Sequence, residues 1–138
     1  MEDQTRNWLS ICVASLIPYA LGLIWYAPKA FQKIRLDALN GKESQQTNPI
    51  LAFLASYALS FLFSVFMYFS LDHGHDDPNY SHMGHGVYHG FQVWFMVAFL
   101  VLAGNGIQEK KPWRYVLVNS AYWLLSMILI ASLLAVWY

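Results

Sequence analysis

The ionisable side chains of this sequence are confined to short stretches, and the gaps between them limit its folding more than any other feature. No Asp, Glu, Lys or Arg stands between Arg6 and Lys29, between Glu43 and Asp72, between Asp77 and Glu109, or after Arg114. Each gap accommodates the roughly 20 mainly apolar residues that a helix needs to cross a bilayer. The gaps predict membrane helices over about Trp8–Ala27, Ile50–Leu71, Val87–Gln108 and Tyr115–Tyr138. A soluble bundle would need a polar stripe on each helix at a period near 3.6 residues. Ile50–Leu71 offers only Ser and Tyr hydroxyls. Charged residues make up 12% of the chain, against roughly 25% in soluble domains. The expected fold is all-α: one domain over residues 1–138, built as a membrane-spanning antiparallel four-helix bundle.

Lys and Arg in short loops set orientation. The first loop carries Lys29, Lys33, Arg35 and Lys42, and the third carries Lys110, Lys111 and Arg114. The second loop has no Lys or Arg. The basic loops are therefore expected in the cytoplasm, with both termini and the second loop outside. The first helix lacks the basic leader and small-residue cleavage site of a signal peptide, so it is read as a span. Trp25, Tyr26, Trp113 and Tyr115 fit the inner interface and Trp8, Trp137 and Tyr138 the outer one. Trp94 lies deeper and is expected to pack between helices.

Within the first loop, helical spacing places Phe31, Ile34 and Ala38 on one face and Lys29, Lys33 and Asp37 on the other. Pro28–Asn40 is thus expected to form a short cytoplasmic amphipathic helix between helices 1 and 2. Small residues recur at the four-residue spacing that lets membrane helices approach closely. Three stripes follow: Ala52, Ser56, Ser60 and Ser64; Gly86, Gly90, Trp94 and Ala98; and Ala14, Pro18 and Gly22. Intrachain packing is their first expected use and a homo-oligomer interface the second. Pro18 removes a helical hydrogen bond and should kink the first helix.

The histidines are His73, His75, His82, His85 and His89, with Asp72, Asp76 and Asp77 nearby. Imidazole and carboxylate groups suit a divalent metal such as zinc, nickel or cupric copper. A third helix starting near Ser81 would put His82, His85 and His89 on one face, with His73 and His75 closing the site from the loop. The spacing matches no zinc motif, and a solvated, titrating loop explains the same residues. Asn105 and Asn119 sit at similar depth on adjacent helices and are expected to hydrogen-bond each other or line a polar pocket. No span carries an ionisable residue at mid-depth of the kind that ion-coupled transport needs. A nucleophile with an activating base, a His-Glu-x-x-His motif and a phosphate loop are missing from the sequence. Zero net charge provides no field for nucleic acid. Cys12 is the sole cysteine and reads as a packing residue.

Two elements carry a resemblance. Gly22, Trp25, Tyr26, Pro28 and Phe31 form a Gly-x-x-Trp-Tyr-x-Pro-x-x-Phe element, and Asn119 and Tyr122 an Asn-x-x-Tyr element. The sequence is similar to a family of short bacterial four-helix membrane proteins of unestablished function. That resemblance implies a bacterial plasma membrane and assigns no catalytic residue, cofactor or substrate. The function expected is a noncatalytic, homo-oligomeric structural or interaction bundle, with the lipid bilayer and further copies of itself as partners. The alternative is a transporter or channel subunit whose outward histidines bind a divalent metal.

Overall fold

The computed structural model describes residues 2–39, 48–71 and 81–137. Among them the secondary structure is helical, in the order α1 (Glu2–Ala14), α2 (Ile17–Trp25), α3 (Gln32–Leu39), α4 (Pro49–Ser70), α5 (His82–Val93), a π-helical segment (Trp94–Phe99), α6 (Leu100–Gln108) and α7 (Trp113–Trp137). Four stretches are long and apolar enough to cross a membrane: Asn7–Trp25, Pro49–Ser70, His82–Gln108 and Trp113–Trp137. The 22 residues of α4 extend roughly 33 Å, close to the hydrocarbon thickness. The chain is a multi-pass membrane protein.

Local chemistry sets the helix ends. Pro18 brings no N–H, so the first span breaks at Ser15 and Leu16. Leu16 N–H turns to the Val13 carbonyl at 3.1 Å, and the Cys12 carbonyl accepts from the Tyr57 hydroxyl at 3.4 Å instead. The expected kink is an interruption between two helices. The Asn48 side chain caps α4 by accepting from Ile50 N–H at 3.0 Å, with Pro49 at the first helical position. Ser81 caps α5 in the same way through Gly84 N–H at 3.1 Å. The third span consequently starts at His82 and not at Val87.

α6 ends through Lys110, whose φ is +52°. Lys111 N–H reaches the Gly106 carbonyl at 2.9 Å and Lys110 N–H the Ile107 carbonyl at 3.2 Å. This is a Schellman closure made without its usual glycine, and Pro112 then opens the turn into α7.

Packing is densest between α5 and α7, where glycines bring backbones together. A Cβ added at Gly86 would lie 2.6 Å from Ser132 Cα, and one at Gly90 would lie 2.7 Å from Ile128 Cα. Trp94 packs between helices as expected, its indole N–H donating to the Ser120 carbonyl at 2.9 Å. The buried core comprises Ile11, Ala14, Met67, Leu71, Ile130, Ala131, Leu134 and Ala135. It lies at one end of the bundle, where α1, the last turns of α4 and the last turns of α7 converge. α3 lies at the opposite end. Its faces divide as the spacing predicts, with Ala38 buried and Lys33 and Asp37 exposed. It begins at Gln32 because residues 26–31 fold into a turn, closed by Phe31 N–H on the Trp25 carbonyl at 3.1 Å.

Candidate functional site

The two sequence elements that carry the family resemblance meet in space at the α3 end. Tyr122 of α7 donates its hydroxyl to the Pro18 carbonyl and lies against Gly22, whose added Cβ would sit 3.4 Å from that hydroxyl. Trp25 Nε1 donates to the Val118 carbonyl at 3.2 Å. The Tyr26 hydroxyl donates to Asn119 Oδ1 at 3.0 Å, with the Tyr26 and Tyr122 rings 5.4 Å apart. Phe31 folds back until its ring is 4.8 Å from Trp25. The first loop is thus fastened to α7 by polar side chains, which bond strongly where water is scarce.

Arg35 joins this cluster from α3, its guanidinium 4.9 Å from the Tyr26 ring centroid, in cation–π geometry. Lys111 Nζ donates to the Ala38 carbonyl at 3.4 Å and ties α3 to the α6–α7 turn. Tyr26 stands one residue beyond the first span. Burial pushes its hydroxyl up to about 12, Tyr115 and Tyr122 add to the rise, and Arg35 opposes it. The phenol therefore stays protonated near neutral pH and keeps the hydrogen that it donates to Asn119.

Of this cluster, Gly22, Tyr26, Arg35, Asn119 and Tyr122 wall a cleft of about 750 Å³ between the first, second and fourth spans. Its polar groups include Tyr26, Tyr57, Tyr115, Tyr122, Asn119 and the serines at 15, 56, 60 and 126, and among the described residues Arg35 is the charged residue that lines it. The cleft exists because α4 is buried against its neighbours along its last turns, while nearer its start it reaches the first span through the rings of Phe53, 4.7 Å from Tyr19, and Tyr57. Ser64 and Met67 are buried, whereas Ala52, Ala55, Ser56 and Ala58 are exposed. The small-residue stripe from Ala52 to Ser64 is therefore a packing seam at Ser64 and a cavity wall below it. Ser60 Oγ is buried in that wall without a hydrogen-bond partner.

The expected pairing of Asn105 with Asn119 does not form. Asn105 is exposed, and Asn119 bonds to Tyr26. Of the candidate metal ligands, His73 and His75 lie outside the described residues. His82, His85 and His89 do follow one another from the start of α5, and the His85 and His89 rings are 4.3 Å apart. His82 is exposed while His85 and His89 are half-buried. Among the described residues no three His, Cys, Asp or Glu side chains are grouped to hold a metal ion. Arg35 escaped the sequence reading as a site residue, since in sequence it is one cation among several in a basic loop.

No curated protein and no solved structure matches the chain. A family profile does match, over residues 9–135, and it spans both elements that meet at the cleft. The chain belongs to the family described as protein of unknown function (DUF1761).

Proposed function

We propose that this protein is a noncatalytic interaction bundle of a bacterial plasma membrane, which self-associates and holds an amphiphilic molecule in the cleft. The observation that carries this reading is the composition of the cleft wall. Hydroxyls, one amide and one guanidinium bind and orient a ligand. They provide no group that acts as a base near neutral pH, so they suit retention and not turnover.

Several features support the architecture that goes with it. Gly86 faces Ser132, Gly90 faces Ile128 and Gly106 faces Val116, an order expected when the third and fourth spans run antiparallel. Pro18 with Tyr122 and Tyr26 with Asn119 relate the first and fourth spans in the same sense. Seven cations in the first and third loops favour a cytoplasmic α3 end, with both termini outside. Self-association rests on Gln92, which is exposed near the middle of the third span. An amide facing hydrocarbon is costly unless it is bonded. A second copy related by a twofold axis presents the same amide, which both donates and accepts.

Native mass spectrometry of protein released from mild detergent tests the binding reading. Wild type should retain a co-purifying amphiphile, and Ser56→Phe, which fills the cleft, should lose it. Equal retention by both would refute the cleft as the binding place. Gln92→Leu should shift the oligomer toward the monomer in the same spectra.

A further inference from the structure

The middle of the cleft carries polar groups at a depth where charge and unpaired hydrogen-bonding groups are costly. Ser15, Ser60 and Ser126 all line it, and they stand within a residue of the midpoints of the first, second and fourth spans. That level lies about 15 Å from either interface. Ser60 Oγ is buried there without a hydrogen-bond partner.

The break in the first span adds backbone groups at the same level. Pro18 has no N–H for the Ala14 carbonyl, and neither that carbonyl nor the Ser15 carbonyl accepts a backbone hydrogen bond. Both residues are buried. Across the break, the N–H groups of Ile17 and Tyr19 open α2 with no side-chain cap and no backbone acceptor. Ser15 and Tyr57 give their hydrogens to the Ile11 and Cys12 carbonyls, and Tyr122 gives its own to Pro18. Their oxygens keep lone pairs to offer. The site thus holds a surplus of acceptors with a few donors among them, and buried backbone groups left in this state call for a partner.

Resting on the reading of the cleft as a binding place, we propose that its occupant is a quinol lipid, a flat dihydroxy-aromatic ring on an apolar chain. A hydroxyl gives its hydrogen to a carbonyl and accepts one from an N–H or from Ser60, which matches both sides of the break. A quinone offers acceptors alone, and a bare cation cannot accept from an N–H. A charged headgroup is kept at the interface by the cost of burial at mid-depth. Rings bracket the hydroxyls: Tyr57 and Phe63 stand a turn to either side of Ser60, and Tyr122 and Trp123 a turn before Ser126. Aromatic side chains suit a flat ring. Exposed rims at Leu23 and Leu59 give the chain a way out to the bilayer.

The test is native mass spectrometry of delipidated full-length protein, kept anaerobic, with decylhydroquinone, the corresponding quinone and the hydroquinone dimethyl ether. The three share ring and chain and differ in donors. Wild type should hold the hydroquinone about tenfold more tightly than the other two, about what one net hydrogen bond supplies. Ser60→Ala should cut that preference severalfold. Pro18→Ala supplies the N–H that the Ala14 carbonyl lacks, and should cut it too without loss of helical circular dichroism. Neither variant should change binding of the ether, whereas Ser56→Phe should reduce all three alike.

Equal binding of hydroquinone and ether overturns the proposal, as does a preference for the quinone or a preference undiminished in both Ser60→Ala and Pro18→Ala. A wild type that binds none of the three, yet retains an amphiphile that Ser56→Phe loses, overturns the quinol and leaves the cleft as a binding place. A wild type that retains nothing refutes the binding reading itself.

Discussion

Replacing Gly86 or Gly90 with Ala adds one methyl group where α7 leaves no room for it. At Gly86 the new carbon would lie 2.6 Å from Ser132 Cα and 2.7 Å from the Ala131 carbonyl oxygen. At Gly90 it would lie 2.7 Å from Ile128 Cα and 2.8 Å from the Met127 carbonyl oxygen. Carbon atoms pack best at about 3.5–4.0 Å, so the two backbones must part by about 1 Å. A gap of that size forfeits between about a quarter and a half of the attraction between the facing atoms. The obstacle is backbone, which cannot swing aside, and the expected cost is about 1–3 kcal/mol for each substitution, the usual range for overpacking. Both glycines lie on one seam, and a single separation accommodates both methyl groups. The double variant should therefore cost clearly less than the sum of the two singles.

Gly104→Ala is the internal control, because nothing lies within 4 Å of its added carbon. It should be neutral or stabilising by up to about 1 kcal/mol, from helix propensity. Unfolding in mixed micelles, followed by helical circular dichroism, measures all four proteins. The reasoning is refuted if Gly86→Ala and Gly90→Ala unfold like Gly104→Ala, or if their effects add.

The contact between the first loop and α7 gives a second prediction. In a double-mutant cycle, Tyr26→Phe and Asn119→Ala should couple by about 0.6–1 kcal/mol, and zero coupling would remove their hydrogen bond from the account. The raised pKa of Tyr26 means that folding favours its neutral form, so its contribution to stability is intact below about pH 10, the value for a free tyrosine. It is lost as the pH rises toward about 12. A stability titration should show this alkaline loss in wild type and a smaller one in Tyr26→Phe. Lys110→Gly should stabilise the protein by about 1 kcal/mol, since it relieves a left-handed backbone at a helix end, and destabilisation would argue for a role of the lysine side chain there. With Cys12 replaced, a cysteine at Gln45 should be shielded from an impermeant thiol reagent in intact cells and one at Asn79 labelled; the reverse would invert the proposed orientation.

The spans were legible in the sequence because exclusion of charge from hydrocarbon is severe enough to show in single residues. Their ends were less so. The third span gained a turn at its start because Ser81 caps it, a feature that a count of apolar residues does not register. The seam at Gly86 and Gly90 was readable, but the similar stripe from Ala52 to Ser64 turned out to be mostly cavity wall. Small residues let a neighbour approach and equally leave space when none does, so spacing alone does not separate the two outcomes. The cleft was not legible at all. Tyr26, Arg35 and Asn119 belong to three distant elements, and only the fold of the first loop back onto α7 brings them together. Asn119 was expected to bond Asn105 or to line a polar pocket; it lines the cleft, but its hydrogen-bond partner came from that loop and not from the helix beside it in sequence.

The π-helical segment at Trp94–Phe99 carries a consequence for the glycines on either side of it. An unbroken α-helix would turn Gly106 roughly 160° away from Gly90, beyond whole turns. One of the two would then point its bare backbone away from α7, at a place where nothing needs it. The wider turn absorbs about one extra residue, or about 100° of rotation, and brings the two back to within about 60° of each other. Gly90 can thus meet Ile128 while Gly106 meets Val116 on the same neighbouring helix. The segment acts as a phase correction: it lets a helix longer than the bilayer is thick keep one face toward one partner from end to end. Loss of one residue between 94 and 99 would remove the one that the wider turn absorbs, and the span could then run as a plain α-helix with the two glycines still within about 60° of each other.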